Sequence, residues 1–269
     1  MTQATSPPPP TSPESALPAP TRRDRLRAAT MDEITSTARR LLVEQGPDAM
    51  SLRAIAREMG MTAPGLYRYY SNRDDLFRHV IATIFRELSG DVHQAIDDAS
   101  DSKAGDCEGA PPERVRQHLT LKMVAACREF RRWALNHKDE FALLFGVPIP
   151  GLDDGRLDIA EECALEFAGT FYALFIELWI AAPFPVPGTD ELDGGLRAEL
   201  TKFRAMLSTD APDGALLVFL RCWVLLYGAV SMEVFGHLGF AITDPAPMFE
   251  FTLTDLARLV GLDYPLPAT

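Results

Sequence analysis

The sequence has few of the features that mark secreted, metal-binding or catalytic proteins. Its cysteines are widely separated and contain no CxxC pair, which excludes a zinc-ligand pattern and argues against a disulfide framework. They are Cys107, Cys127, Cys163 and Cys222. The five histidines are equally dispersed, and no GxSxG, P-loop, HExxH or GxGxxG motif occurs. We therefore predict no metal site, no cofactor and no enzymatic activity.

The sequence also has no clear signal for export or for insertion into a membrane. Residues 1–20 are rich in proline, serine, threonine and alanine and have no apolar run, unlike a signal peptide. Residues 167–182 and 215–230 approach the length of a membrane span, but Glu177 interrupts the first and Arg221 lies in the middle of the second. We predict that both segments are buried core helices of a cytoplasmic protein.

Positive charge is scarce overall but is concentrated in the first third of the chain. The net charge of the whole chain is −12. Residues 21–90 contain twelve arginines, no lysine and nine acidic residues, a net charge of +3, which leaves −15 for the rest. A basic head on an acidic body fits a protein that contacts phosphate with one end only. The alternative is that the arginines only solvate helix surfaces, and charge alone does not decide between the two.

The spacing of apolar residues predicts an all-α protein. Several segments repeat with a helical period and none alternates with the period of a strand. Seven prolines in residues 1–21 predict a disordered tail. The four arginines at 22, 23, 25 and 27 are either a DNA-binding arm or a soluble lead-in to the first helix. Predicted helices cover residues 28–45, 52–59, 63–70, 71–99, 113–136, 138–145, 156–182, 191–207, 213–238 and 245–262.

Residues 51–76 have the spacing of a helix-turn-helix. Ser51 is placed to cap a first short helix, Gly60 ends it, and Thr62 caps a second short helix at 63–70. Helices this short need a third helix to pack on, and the chain supplies one on each side. In a helix-turn-helix the second helix enters the major groove of DNA.

These residues resemble the TetR family of bacterial transcriptional regulators. The resemblance covers residues 28–88 and rests on three groups of residues: Ile34…Ala38…Leu41…Gly46, Ser51-Leu52-x-x-Ile55-Ala56, and Gly60-Met61-Thr62-x-x-x-Leu66-Tyr67-x-Tyr69-Tyr70-x-x-Arg73-x-x-Leu76. Tyr69-Tyr70 stands where the family more often has His-Phe, and Arg73 where it more often has Lys. Both differences keep an aromatic ring or a cation.

The second half of the chain is similar to one type of TetR ligand-binding domain, the Trp-His-Gly type. The similar residues are Trp223…Gly228…Glu233…Gly236-His237 and Phe130-x-x-Trp133-Ala134-x-x-x-His137…Phe141-x-x-Leu144-Phe145. The resemblance as a whole implies a tail at 1–21, a DNA-binding domain at 22–88 with its motif at 51–70, and an effector-binding and dimerisation domain at 89–269.

By this resemblance the chain is expected to be a ligand-responsive repressor that binds a palindromic operator in double-stranded DNA as a homodimer. The expected DNA contacts are Ser51, Arg53, Thr62, Ala63, Pro64, Gly65, Tyr67, Arg68, Tyr69 and Arg73. Arg68 is the side chain able to form a bidentate pair of hydrogen bonds with a guanine, whereas Tyr67 and Arg73 are expected to contact phosphate. The alternative function is a helical ligand- or protein-binding module without sequence-specific DNA binding.

The same resemblance implies an effector cavity and a dimer interface in the acidic body. The interface is expected on helices 213–238 and 245–262. The effector is expected to be a largely apolar small molecule, and no membrane partner is expected. Candidate ligand-binding residues are Trp133, His137, Phe141, Phe167, Phe171, Phe175, Glu177, Trp179 and Cys222. Glu177 is included because a buried carboxylate needs a partner. Aromatic residues at helical spacing are also ordinary core residues, and this alternative stays open for each one.

Overall fold

The computed structural model describes residues 21–46, 51–101, 111–146, 159–262 and 264, and within these ranges it contains helices and no strands. The predicted all-α class is confirmed. The predicted disordered tail falls on residues that lie outside the described ranges, apart from Thr21 at its end. The chain divides into two compact units, one reaching Tyr69 and the other starting at Tyr70.

The described residues of the first unit form three helices, α1 (Arg22–Gln45), α2 (Leu52–Glu58) and α3 (Ala63–Leu66). Its core is formed by the apolar face of each helix, as the sequence predicts. These buried residues are Ile34, Ala38, Leu41 and Leu42 from α1, Leu52, Ile55 and Ala56 from α2, and Leu66 from α3.

Helix α1 begins six residues before the predicted start at 28, because Thr21 caps it. The Thr21 hydroxyl accepts the Asp24 N–H at 3.2 Å, and the Asp24 carboxylate accepts the Thr21 N–H at 3.0 Å. Such a reciprocal capping box satisfies two amides that a helix start leaves unpaired. The arginine-rich lead-in is therefore part of α1.

Helix α3 is shorter than predicted and ends at Leu66 instead of residue 70. Beyond it the Arg68 N–H bonds to the Gly65 carbonyl at 3.3 Å and the Tyr69 N–H to the Leu66 carbonyl at 2.9 Å. This three-residue spacing is the tighter winding with which many α-helices end. We call residues 62–69 the recognition turn.

The second unit contains seven further α-helices in its described ranges. They are α4 (Arg73–Asp101), α5 (Pro112–Asn136), α6 (Lys138–Phe145), α7 (Ile159–Ala181), α8 (Gly194–Leu207), α9 (Asp213–Val234) and α10 (Ala246–Leu259), with a 3₁₀ turn at Thr189–Glu191 before α8. Helix α4 packs against α5 and α7, and α9 packs against α10. Asn72 caps α4 by accepting the Asp75 N–H at 2.8 Å.

Two helices of the second unit are shorter than predicted for local reasons. Helix α8 begins at Gly194 because the Asp193 carboxylate accepts the N–H groups of Gly195 and Leu196. Helix α9 ends at Val234 and not at 238, because Gly236 has a φ of +70°. Glycine adopts this left-handed conformation without the steric cost that other residues carry, and it commonly ends helices.

The centre of the second unit is a cluster of aromatic rings. Phe130 is fully buried, and its ring centroid lies 5.5 Å from that of Phe167 and 6.1 Å from that of Trp223. Phe141 packs on Phe145 at 5.0 Å. Aromatic pairs at these distances add stability beyond the area they bury. The cluster therefore joins α5, α6, α7 and α9.

Helices α7 and α9 are long and apolar enough to cross a membrane, judged by length and composition only. This is weak evidence, because the core helix of a soluble protein has the same composition. Both helices supply core residues, including Phe167 and Phe175 from α7 and Leu216 and Val230 from α9.

Candidate DNA-binding surface and ligand cavity

The recognition turn is held in place at its start by Thr62, whose hydroxyl accepts the Gly65 N–H at 3.2 Å. Ser51 caps α2 in the same way by accepting the Ala54 N–H at 3.1 Å. Each hydroxyl uses an acceptor lone pair in this bond and keeps its own hydrogen to donate. Both predicted capping residues are exposed, so they are also available to a phosphate.

Most of the predicted DNA contacts are on the surface. Exposed residues are Ser51, Arg53, Thr62, Pro64, Tyr67, Arg68 and Arg73, while Ala63, Gly65 and Tyr69 are partly buried. Tyr67 is an exposed aromatic residue with 51 % of its surface accessible, whereas Leu66 and Tyr70 are buried. The structure thus brings Thr62, Pro64, Tyr67 and Arg68 together on one turn of the first unit, and it places Arg73 at the start of α4 in the second.

Arg27 has a role that sequence reasoning missed. Its guanidinium donates to the backbone carbonyl of Arg68 at 3.3 Å and lies 5.2 Å from the centroid of the Tyr69 ring. A guanidinium at this distance over an aromatic face is attracted by the ring. Arg27 therefore links the first turns of α1 to the end of the recognition turn. No sequence spacing indicates this contact, because the two residues are 41 positions apart.

A second arginine connects α1 to α2. Arg40 donates to Glu58 at 2.8 Å and to Glu44 at 3.2 Å, and the hydrogen bond to Glu58 raises the pKa of the guanidinium. These side chains are about half exposed, so the pair contributes little to stability by itself. Its contribution is to orient α2 relative to α1.

The second unit contains an apolar cavity among α5, α7, α9 and α10. Its volume is about 60 Å³, counted as space for the centres of water-sized molecules. Aliphatic, aromatic and sulfur-containing side chains form the walls. They are Thr120, Met123, Val124 and Cys127 from α5, Phe171 and Phe175 from α7, Phe219, Cys222, Trp223 and Leu226 from α9, Leu253, Leu256 and Ala257 from α10, and Val260 and Leu262 just after it.

Three of the nine predicted ligand-binding residues line this cavity, namely Phe171, Phe175 and Cys222. Trp133, Phe141 and Phe167 are buried in the core beside it. The remaining two aromatic candidates pack elsewhere. The His137 ring lies 5.0 Å from Trp133, and the Trp179 ring lies 5.0 Å from Phe184.

Glu177 does not meet the condition for which it was chosen. The prediction assumed a buried carboxylate, but Glu177 is exposed. The apolar residues around it in sequence, such as Phe175 and Leu178, point to the core while Glu177 lies on the opposite side of α7. Sequence reasoning also missed the walls supplied by α10, and it noted Trp223 only as part of a motif.

Two thiols, those of Cys127 and Cys222, line the cavity. Burial raises the pKa of both Cys127 and Cys222 to about 12, and for Cys127 the nearby Cys222 adds to the effect. A thiol nucleophile or metal ligand needs a lowered pKa, so these residues behave as small apolar groups. Among the described residues no group of three or more His, Cys, Asp or Glu side chains is arranged to hold a metal ion.

An ion-pair cluster joins α5 to α9, α10 and the segment after α10. Arg131 forms two hydrogen bonds with Glu233, at 2.7 and 2.5 Å. Arg128 forms two with Glu250, at 3.0 and 2.8 Å, and the Tyr264 hydroxyl donates to the same carboxylate at 2.7 Å. These bonds lower the pKa of Glu250. The cluster therefore fixes α10 as one wall of the cavity.

Comparison with known proteins decides the family. Residues 34–80 match a family of bacterial regulatory proteins, the tetR family, and residues 123–256 match a tetracyclin repressor-like C-terminal domain. Rv1816, an HTH-type transcriptional regulator of Mycobacterium tuberculosis, is 30 % identical over 220 residues, which cover 81 % of this chain and 86 % of the relative. The chain belongs to the TetR family.

Related structures agree with this assignment of the TetR fold. The crystal structure of the regulatory protein SCO4313 is 28 % identical in sequence, covers 88 % of this chain and 100 % of its own, and has a TM-score of 0.64. A protein from Rhodococcus sp. RHA1 is 18 % identical, covers 87 % and 95 %, and has a TM-score of 0.58, which shows the shared fold alone.

TetR-family membership confirms that this protein is a DNA-binding transcriptional regulator with a helix-turn-helix, as the recognition-turn residues predict. The family consists of regulators and not of enzymes. The individual DNA contacts, the ligand-binding residues and the domain boundaries are not tested by the comparisons, so they stay predictions.

Proposed function

We propose that this TetR-family regulator is a cytoplasmic repressor that binds a palindromic operator as a homodimer and leaves it when a small apolar molecule occupies the cavity. The strongest support is the exposed tip of the recognition turn, where Pro64, Tyr67 and Arg68 surround a capped helix start. A small, exposed turn of this kind fits the major groove.

Within that surface the residues have different tasks. Arg68 is exposed, and its guanidinium is the group suited to fork onto a guanine. The Tyr67 hydroxyl and the Arg73 guanidinium bind phosphate, which positions the protein without reading sequence. Tyr69 has its ring under Arg27, so it takes part only through its hydroxyl. Ser51, Arg53, Thr62, Ala63, Pro64 and Gly65 complete the contact surface.

The homodimer forms through α9 and α10, which present exposed apolar side chains. Leu225 and Met232 on α9 and Phe235 just after it are 41 %, 38 % and 41 % exposed and follow a heptad spacing. On α10, Met248 and Phe251 are 55 % and 56 % exposed. Several exposed apolar side chains on two packed helices are typical of a protein interface, and two helices per chain make a four-helix bundle.

The cavity gives the regulator a place for its effector. Helices α5 and α7 supply two of its walls and also pack against α4, which follows the recognition turn directly in the chain. A ligand that favours one arrangement of these helices shifts the population of the operator-binding form. Phe171, Phe175 and Cys222 are the predicted residues that the effector would contact.

Selection of DNA from a random-sequence pool with the purified chain tests this function. We expect a palindromic consensus sequence that is bound by two chains. Arg197→Ala, a control on the exposed surface of α8, should keep the affinity for this sequence, whereas Arg68→Ala should show a weaker sequence preference. If no sequence is enriched over a mock selection, the protein is a helical ligand- or protein-binding module and not a sequence-specific regulator. Enzymatic activity is not part of either function.

A further inference from the structure

The cavity of the second unit has walls of a distinctive chemistry, because none of its lining side chains carries a charge. Four aromatic residues dominate it: the Phe171 and Trp223 rings meet edge to face at 5.7 Å, and the Phe175 and Phe219 rings do so at 5.4 Å. Rings arranged in this way offer both faces and edges to a flat apolar molecule.

The polar side-chain groups of the lining residues are one hydroxyl, two thiols and the Trp223 indole N–H, and none of them carries a charge. The Thr120 hydroxyl donates to the backbone carbonyl of Arg116 at 2.8 Å, within its own helix. The Cys127 and Cys222 thiols stay protonated because burial raises the pKa of each to about 12. An ionised ligand would lose its hydration on entry and find no opposite charge, which is strongly unfavourable.

The size of the cavity restricts its occupant further. Its volume of about 60 Å³ is well below the roughly 150 Å³ of an apolar protein cavity that holds benzene. A ligand with one aromatic ring therefore fits only if the walls move apart. Met123 on α5 has a flexible side chain that can rearrange, but the packed rings on α7 and α9 must move with their helices.

We propose that the effector is an uncharged, compact hydrophobic molecule, and that one larger than the present cavity, such as a substituted benzene, binds only when the cavity expands. This inference rests on the proposed function and specifies its ligand. A molecule that fits only the expanded cavity binds the expanded conformation more tightly than the compact one. A ligand shifts a conformational equilibrium only through such a difference in affinity.

Two probes with the same number and arrangement of non-hydrogen atoms test the charge requirement on the full chain. Isopropylbenzene is neutral, whereas benzoate carries a negative charge. We expect isothermal titration to detect binding of isopropylbenzene and to show benzoate at least about a hundredfold weaker, because its charge would be buried without a partner. Comparable affinity for benzoate would contradict the proposed effector class.

Variants that fill the cavity locate the binding site. Cys222→Leu adds volume from α9, and Ala257→Val adds it from α10. We expect each variant to lose isopropylbenzene binding while circular dichroism still shows a folded chain. If Cys222→Leu fails to fold, Ala257→Val still tests the site. Val224→Leu changes the same helix at a position 66 % exposed and should bind as the wild type does. Unchanged binding in the folded cavity-filling variants would overturn the site.

Xenon separates occupation of the cavity from its expansion, since a single apolar atom needs less room than a ring. With the selected operator, we expect isopropylbenzene to lower DNA affinity at least about tenfold and xenon under pressure to leave it unchanged. An equal effect of xenon would contradict the expansion. If the wild-type chain does not bind the operator even when no probe is present, the proposed function itself is contradicted. Intact operator binding with no probe binding would contradict only the effector class.

Discussion

We expect individual residues of the recognition turn to combine structural and DNA-binding tasks. Thr62 caps α3 with its hydroxyl oxygen and keeps a hydrogen for a phosphate. Arg68 offers its carbonyl to Arg27 and its guanidinium to the outside. Because the backbone groups are used inside the unit and the side-chain groups face outward, single substitutions should separate the two tasks.

Replacing the two arginines should produce different losses. We expect Arg68→Ala to lose about 1–3 kcal/mol of discrimination at a single base pair, because one bidentate contact disappears. Arg73→Ala should weaken binding to all sequences equally. It should also reduce the salt slope, the slope of log affinity against log salt concentration, by about one, because a phosphate contact is lost. Binding titrations against the selected operator, its single-base variants and a salt series measure both effects. A uniform loss in both variants would refute base reading by Arg68.

Removing the cap of the recognition turn should loosen it locally. Thr62→Ala removes the side-chain acceptor of the Gly65 N–H, which then bonds only to the Thr62 carbonyl, and should cost about 1 kcal/mol, whereas Thr62→Ser keeps the hydroxyl oxygen. Hydrogen exchange of the Gly65 amide measures the effect directly, and we expect it to be faster only in the alanine variant. Equal exchange in Thr62→Ala and the wild type would show that the cap does not hold the turn.

At the scale of elements, the recognition turn depends on contacts from other helices. Two helices of seven and four residues are too short to be stable by themselves. Arg40 ties α1 to α2 through Glu58, and Arg27 ties α1 to the recognition turn. Helix α1 is thus the support on which the DNA-binding surface is oriented.

Arg27→Ala should weaken operator binding by about tenfold through loss of positioning. The substitution removes the hydrogen bond to the Arg68 carbonyl and the contact with the Tyr69 ring. We expect the salt slope of binding to be unchanged, because no phosphate contact is lost. Arg25→Ala, an exposed neighbour on α1, is the matched control for the loss of one positive charge. A reduced salt slope in Arg27→Ala would instead mean that Arg27 contacts DNA.

For the whole molecule, we expect assembly and the response to pH to depend on α9 and α10. Their outer faces carry the exposed apolar residues Met232 and Phe251. Helix α10 is in turn held against α5 by the bonds among Arg128, Glu250 and Tyr264. Burial and the hydrogen bond to Glu250 raise the pKa of Tyr264 to about 12, so this link persists across the physiological range.

Met232→Glu should convert the dimer to a monomer, because it places two like-charged carboxylates in an apolar interface. Sedimentation velocity measures the mass, and operator affinity should fall together with dimerisation. Leu165→Glu, at an exposed position on α7, is the matched control and should stay dimeric. If Met232→Glu remains a dimer, the interface lies on other helices.

Acid should destabilise the second unit partly through Glu250. The hydrogen bonds from Arg128 lower its pKa, so its stabilising contribution is complete above its ordinary pKa of 4.5 and is lost as pH falls through the lower folded value. We expect Glu250→Gln to lower the free energy of unfolding at neutral pH and to flatten its decrease below about pH 4.5.

Urea unfolding at a series of pH values measures this dependence. Asp255→Asn is the control on the same helix, because its carboxylate is 60 % exposed and its ion pair with Arg258 lies on the surface. If the free energy of unfolding decreases equally steeply at acid pH in Glu250→Gln and in the wild type, the carboxylate does not link stability to pH.

Several features of the fold follow from short-range sequence patterns. Ser51 and Thr62 predict where the two short helices start, and Gly60 predicts where the first one stops, because caps and breakers act through backbone bonds within a few residues. The bounds 138–145 of α6 and the buried faces of α1 and α2 were likewise predictable from helical periodicity. The early start of α1 has a local cause too, the Thr21–Asp24 capping box, which sequence reasoning did not recognise.

The cavity illustrates what periodicity cannot supply. The apolar stripe of α7 predicted a helix correctly, but it did not reveal that Glu177 is exposed and that Phe171 and Phe175 reach the cavity. The walls from α10 could not be anticipated, because a pattern shows which face of a helix is buried but not which partner covers it.

The sequence by itself determined the all-α class and the spacing of the helix-turn-helix, since caps, breakers and apolar spacing are local properties of the chain. The family was indicated by the resemblance of particular residues between 34 and 76 to the TetR motif. Tertiary structure alone decided that Arg27 supports the recognition turn, that three of nine candidate residues line a cavity, and that this cavity is small and uncharged. These features depend on side chains far apart in sequence, whose proximity arises only when packed helices bring them together.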